Sequence, residues 1–206
     1  MKISFIIILY FIVSAHAAPL DLIKEFDKKR MDLSKVMSSL SIKLNESLIK
    51  RKTPKISQFT SFLFSFQLEE FLSGYDLEYF NGSKKTILAR DKSGVKHVHE
   101  MILYFSGTLL TKMISRSAVG TVIADFKFKK FNKKYLFKEV NALSYIGRQI
   151  RESKLEFEYQ KVGNNYLPIE VVAKISYQNL LNKPDKKKWS FTEKYKYTLN
   201  RPGAKE

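Results

Sequence analysis

The sequence predicts an α+β, mainly β fold, in which an N-terminal amphipathic helix packs in a curled antiparallel meander of about ten strands, a half-open barrel. Three observations predict it. Apolar residues recur at three- and four-residue steps up to Lys50, then at alternate positions after Pro54. Glycine and asparagine turn signals punctuate the alternating stretch. A helix is also only about 10 Å across, too narrow to hide the apolar side of so many strands. The sheet must therefore curl round the helix or stack on itself, and curling is the preferred reading.

The first 17 residues read as an export signal: Lys2 opens it, Phe5 to Val13 is an unbroken apolar run, and Ala15-His16-Ala17 is a small-x-small cleavage site. A run of that length cannot span a bilayer, which needs about 20 residues. The expected compartment is the periplasm, with secretion as second choice. Removing the leader takes one lysine and no acid, so the mature chain from Ala18 keeps +16 of the formal +17. Cysteine is absent, which rules out disulfides, thiolate metal sites and a thiol nucleophile.

From Leu20 to about Lys50, Leu22, Phe26, Leu33, Val36, Met37, Leu40, Leu44 and Leu48 fall along one side of a helix that Pro54 ends, either continuous or broken near Arg30 to Asp32. Strands follow. Phe59 to Leu68 carries Phe62, Phe64, Phe66 and Leu68 on one face; Thr121 to Lys130 carries Val122, Ala124, Phe126 and Phe128. Leu155, Phe157 and Tyr159 share a face of 153–162, and Leu167 to Tyr177 alternate likewise over 166–178. The purest pattern is 188–199, with Trp189, Phe191, Tyr195, Tyr197 and Leu199 opposite a row of lysines, serines and threonines. Further strands are expected at 75–80, 84–90, 95–105, 108–117 and 134–140, with turns at Asn81-Gly82, Ser93-Gly94, Ser106-Gly107, Val119-Gly120 and Gly163-Asn164-Asn165. No linker or repeat divides 18–200, which reads as one domain, with a flexible tail over 201–206.

These aromatic faces nominate an apolar ligand-binding surface: Phe62, Phe64, Phe66, Phe126, Phe128, Phe157, Tyr159, Trp189, Phe191 and Tyr195. The same rings could equally pack a core. No catalytic residue or cofactor is nominated, because the chain has no nucleophile elbow, phosphate loop or His-Glu-x-x-His helix. His97 and His99, two apart, would need a third ligand before they formed a metal site. Lys127, Lys129, Lys130, Lys133, Lys134, the turn at 183–188, Lys194 and Lys196 fall on outer faces or turns, and so many lysines attract anionic membrane surfaces. Nucleic acid is not expected, since strict alternation puts aromatics on the face opposite the lysines. A membrane-spanning β-barrel is disfavoured by the charged end Arg201 to Glu206.

The late strand Asn165-Tyr166-Leu167-Pro168-Ile169-Glu170-Val171, after Glu156 to Gln160 and a Gly-Asn-Asn turn, is joined to an export signal, one amphipathic helix and a long meander. This order of elements resembles the LolA-like superfamily of periplasmic lipoprotein carriers and outer-membrane-lipoprotein-sorting-like proteins. The resemblance implies a half-open barrel, a lid-like helix and a concave face that shelters acyl chains. It assigns no residue a role. The expected function is an exported lipid- or lipoprotein-binding carrier with an apolar concave face and a basic exterior. The competing one is a polyanion-binding or structural envelope interaction protein without a lipid cavity.

Overall fold

A computed structural model describes residues 18–33, 40–44, 63–162, 165–179 and 189–199. Helix α1, Pro19–Lys29, begins where proline's missing N–H costs nothing. The Asp21 carboxylate accepts the Ala18 N–H at 3.0 Å, and Lys28 and Lys29 oppose the dipole at the other end. Ile23 and Phe26, three residues apart, are fully buried.

The helix stops at the break that the sequence allowed near Arg30 to Asp32, and its continuation toward Lys50 is corrected here. Helix α1 ends at Lys29; Arg30 is extended, and the Met31 N–H donates to the Tyr135 carbonyl at 2.9 Å. Leu40–Leu44 is a strand, β1. The spacing between Leu40 and Leu44 fits both a helical turn and two strand repeats, and pairing with the last strand decides between them. Val36, Met37 and Leu48 lie outside the described residues.

The strand expected over 59–68 is also corrected across 63–68. Residues 63–65 form a helical turn and Leu68–Phe71 is a short helix, α2. Leu63 and Phe64 are both buried, which alternation in a one-sided strand does not allow. The segment lies over the sheet because side chains of α1 and its end satisfy its backbone. Asp27 accepts the Leu68 and Glu69 N–H groups, each at 2.8 Å, and Arg30 donates to the Leu63 and Phe64 carbonyls at 3.2 and 3.3 Å.

The rest is mainly β: an open antiparallel meander in which each strand pairs with the next. Its strands are β2 (Asp76–Tyr79), β3 (Thr86–Arg90), β4 (Val98–Ser106), β5 (Leu109–Ser117), β6 (Gly120–Phe131), β7 (Lys134–Ile146), β8 (Gln149–Val162) and β9 (Asn165–Asn179). The backbone of β10 (Trp189–Leu199) pairs with β9, and β1 pairs with β10. Among the described residues no ladder joins β1 to β2, so the sheet is not closed. Asn132 (φ 54°) and Gly147 (φ 55°) take the left-handed conformation that the tight turns after β6 and β7 require.

Register separates the two faces. One row across the sheet runs Ile87, Leu103, Met113, Ala124, Ala142, Ser153, Ile175. Three register shifts lie on this face's side of the packing, and the residue just after each, Phe105, Phe128 or Tyr159, meets the covering chain. Phe26 meets Phe105 and Phe128 edge-on at 6.3 and 5.9 Å, and Phe64 meets Phe157 and Tyr159 at 5.6 and 6.3 Å. The bulges therefore aim rings at the segment that covers them.

Candidate functional site: the apolar face

The apolar face has two halves with different chemistry. In the half under α1 and residues 63–72, Phe64, Phe66, Phe126 and Phe157 are buried, and Phe128 and Tyr159 half-buried. These rings pack on one another: Phe126 lies 5.8 Å from Phe137, Phe128 4.9 Å from Phe137, and Phe66 5.3 Å from Phe71. The Tyr159 hydroxyl donates to the Phe137 carbonyl at 2.8 Å. In this half the described rings are packed against one another. Of the other nominated residues, Phe62 lies outside the described residues, and Trp189, Phe191 and Tyr195 are placed by backbone register alone, opposite Tyr177, Ile175 and Val171.

Toward the other end of the strands the same face changes character. Met113, Val122, Ala142, Ser144, Ser153, Arg151 and Tyr177 are half-buried there. Ser144, Arg151 and Tyr177 stand in one cross-strand row, with Ala142 and Ser153 in the next. Small side chains lower the floor relative to the phenylalanine half. Arg151 lies over Tyr177, its guanidinium carbon 5.5 Å from the ring centroid, and its buried Nε has no hydrogen-bond partner. Arg151 makes no ion pair with a described residue. Sequence reasoning missed this group because it began the strand at Ser153: Arg151 and Ser153 are polar, and apolar alternation starts only at Leu155.

Arg30 is the other cation within the apolar layer. It is 4% exposed, burial lowers its pKa, and two carbonyls plus the Phe66 ring at 6.0 Å surround it. Asp27 pays for its own burial with a raised pKa, which the two N–H donors and Arg30 only partly offset. This pair is a structural clip.

The opposite face is polar around an apolar strip at Leu88 and Ile102. Lys127, Glu139, Lys154, Glu156 and Lys174 form a chain of ion pairs from β6 to β9, at 2.9, 3.5, 2.8 and 3.0 Å. Hydrogen bonds from Lys127 and Asn141 lower the Glu139 pKa to about 2. Glu78, Arg90, Glu100 and Arg116 form a second chain from β2 to β5. A shallow hollow of about 500 Å³ on this face is lined by Asp125, Asn141, Glu152, Lys154, Lys174 and Ser176. His97 lies in the connection before β4 and His99 on β4, both exposed, and no three potential metal ligands cluster among the described residues.

No protein-family model matches the chain, nor does any curated protein or solved structure.

No described helix is long and apolar enough to cross a membrane. The chemistry is that of a one-sided sheet: a half of packed aromatic rings, a shallower half in which the buried Arg151 Nε has no hydrogen-bond partner, and a largely self-paired polar back.

Proposed function

We propose that the protein is an exported, LolA-like carrier that shelters the acyl chain of an anionic lipid or acylated protein on the shallower half of its apolar face. In this reading the sheet is a half-open barrel with α1 and residues 63–72 as its cover. The observation that carries it is Arg151, a guanidinium on an apolar face with a buried donor and no acceptor. A buried N–H donor with no acceptor is costly unless an anion accepts it. A carboxylate or phosphate does so in bidentate geometry, with the Ser144 and Ser153 hydroxyls on adjacent register positions. The attached chain then runs over Ala142 and Met113, where each methylene removed from water contributes about 0.8 kcal/mol.

The test is displacement of a fluorescent fatty acid from the purified mature chain by oleate and by oleyl alcohol. Oleate should compete better than the alcohol by about tenfold, the value of a charge-assisted bond. Arg151→Gln should remove that preference while leaving the alcohol's affinity in place, and Arg151→Lys should keep part of it. Failure of the wild-type chain to bind any acyl probe, together with absence of lipid on extraction and mass spectrometry, overturns the proposal.

A further inference from the structure

Register brings one end of the strands to a common line: Val98, Ser117, Gly120, Ile146, Gln149 and Asn179 are successive partners across β4 to β9. The connections 91–97, 117–120 and 146–149 therefore emerge from the same end. Four of the five large apolar side chains that stand exposed among the described residues are here: Val95 (84%), Val119 (69%), Ile146 (47%) and Tyr145 (42%). The fifth, Leu20, is on α1. Two of these tips are joined, since the Gly147 N–H donates to the Val119 carbonyl at 3.2 Å.

We propose that this end of the sheet is a rim that docks on an anionic phospholipid bilayer, with Val119 and Ile146 inserted among the head groups. The inference rests on the acyl-carrier reading for its purpose, because the shallower half of the apolar face ends at the same line. Its physical basis is separate. Val119 is on the tip of the turn between β5 and β6, Tyr145 and Ile146 end β7 beside it, and Val95 is in the connection before β4, so the exposed apolar groups gather at one end of the strands, which suits shallow insertion into an interface.

Charge points the same way. The stretches 91–97, 116–120 and 145–149 contain Lys92, Lys96, Arg116 and Arg148 against Asp91; Lys92 is paired with Asp76 and Arg116 with Glu100, which leaves Lys96 and Arg148 as the rim's cations without an ion pair to a described residue. Arg148 makes no ion pair with a described residue, and it borders an open hollow of about 600 Å³ with Val119, Ile146 and Asn179. The Asp91 carboxylate is engaged by Ser93 and by the Lys96 N–H, which lowers its pKa. The opposite end of the sheet is basic too, through Lys130, Lys133 and Lys134, but among the described residues no large apolar side chain is exposed at its turns. Electrostatic attraction alone would not choose between the ends; the apolar tips do.

The experiment is co-sedimentation of the mature chain with vesicles of phosphatidylcholine alone and of equal parts phosphatidylcholine and phosphatidylglycerol. Binding should favour the anionic vesicles and weaken with salt. The double variant Val119→Asp/Ile146→Asp should lose at least about tenfold in affinity, and Arg148→Glu several-fold. Because the chain has no cysteine, a single Val119→Cys carrying an environment-sensitive dye reports insertion directly, with Ser106→Cys at the other end as control. A blue shift at position 119 only is the expected result. No vesicle binding, unchanged binding by the double variant, or a shift at position 106 instead overturns the proposal, and absence of vesicle binding leaves a protein partner as the occupant. Acyl-probe binding in vesicle-free solution separates the two readings: the double variant should retain it, and its loss in the wild-type chain would sink the cargo proposal without touching the rim.

Discussion

Replacing Asp27 with alanine tests how the cover is held over the phenylalanine half. The carboxylate accepts two N–H groups at 2.8 Å, from Leu68 and Glu69, that no helical carbonyl satisfies. A hydrogen bond to a charged group contributes about 1.5–3 kcal/mol, but water can replace Asp27 at the exposed Glu69 N–H. The raised pKa of Asp27 shows that the ion costs more to bury than its partners return, which moves the net effect to the lower end. The expected loss for Asp27→Ala is about 2 kcal/mol, or about 5 °C in Tm for a chain of this size. Asp27→Asn keeps one acceptor for Leu68 and turns an amide donor toward Glu69, so it should lose about half as much. Urea unfolding followed by circular dichroism, with an unchanged slope, measures both. A loss for Asp27→Ala below about 0.5 kcal/mol, or a larger loss for Asp27→Asn than for Asp27→Ala, would refute the clip.

Two further perturbations address the sheet. Glu139, held at a pKa of about 2 against an ordinary 4.5, contributes stability that is present above the unfolded value and is lost as pH falls from about 4.5 through about 2. The shift sets a ceiling of about 3 kcal/mol, and solvent at Lys127 and Lys154 reduces it to about 1. Urea midpoints from neutral pH down to pH about 3 should therefore converge for wild type and Glu139→Gln, and a constant gap would contradict the ion-pair chain. Gly120→Ala would place a Cβ 1.9 Å from the Tyr145 carbonyl oxygen. Because the obstacle is paired backbone, the expected loss is about 3 kcal/mol or more in a thermal melt, and a loss under 1 would mean the hairpin repacks at little cost.

The meander was legible because its strands carry strict alternation over long runs, and the turns at Gly82, Gly94 and Gly107 are marked by residues that tolerate left-handed backbone. What was not legible has three physical sources. Where the apolar face turns small and polar, at Ala142, Ser144, Ser153 and Arg151, alternation fades, so the second half of β7 and the start of β8 were missed. That loss of signal coincides with the shallower half of the face. Where a segment's backbone is satisfied by side chains of another element, as for Leu63, Phe64 and Leu68, local periodicity does not record it. Leu40 and Leu44 show a third case, a spacing compatible with both periods that only a long-range partner can decide.

The net charge of +17 is not spread evenly, and its placement bears on what the chain can meet. The sequence suggested Lys127 as part of a continuous basic exterior, yet it is paired with Glu139. In the chain from β6 to β9 three lysines face two glutamates, and in the chain from β2 to β5 two arginines face two glutamates. The middle of the polar face is thus nearly neutral. Among the described residues it offers few of the free cations, and none of the exposed rings, that a groove for single-stranded nucleic acid needs. The surplus in the described chain sits instead at the strand ends, in Lys130, Lys133 and Lys134 at one and Arg148 at the other. A field concentrated at the ends favours approach along the strand axis, which brings the sheet edge-down onto a charged surface. In that orientation the end bearing Val119 and Ile146 meets the bilayer with the shallower half of the apolar face directly behind it, so a chain leaving the membrane would pass Arg151 before it reached the phenylalanine core.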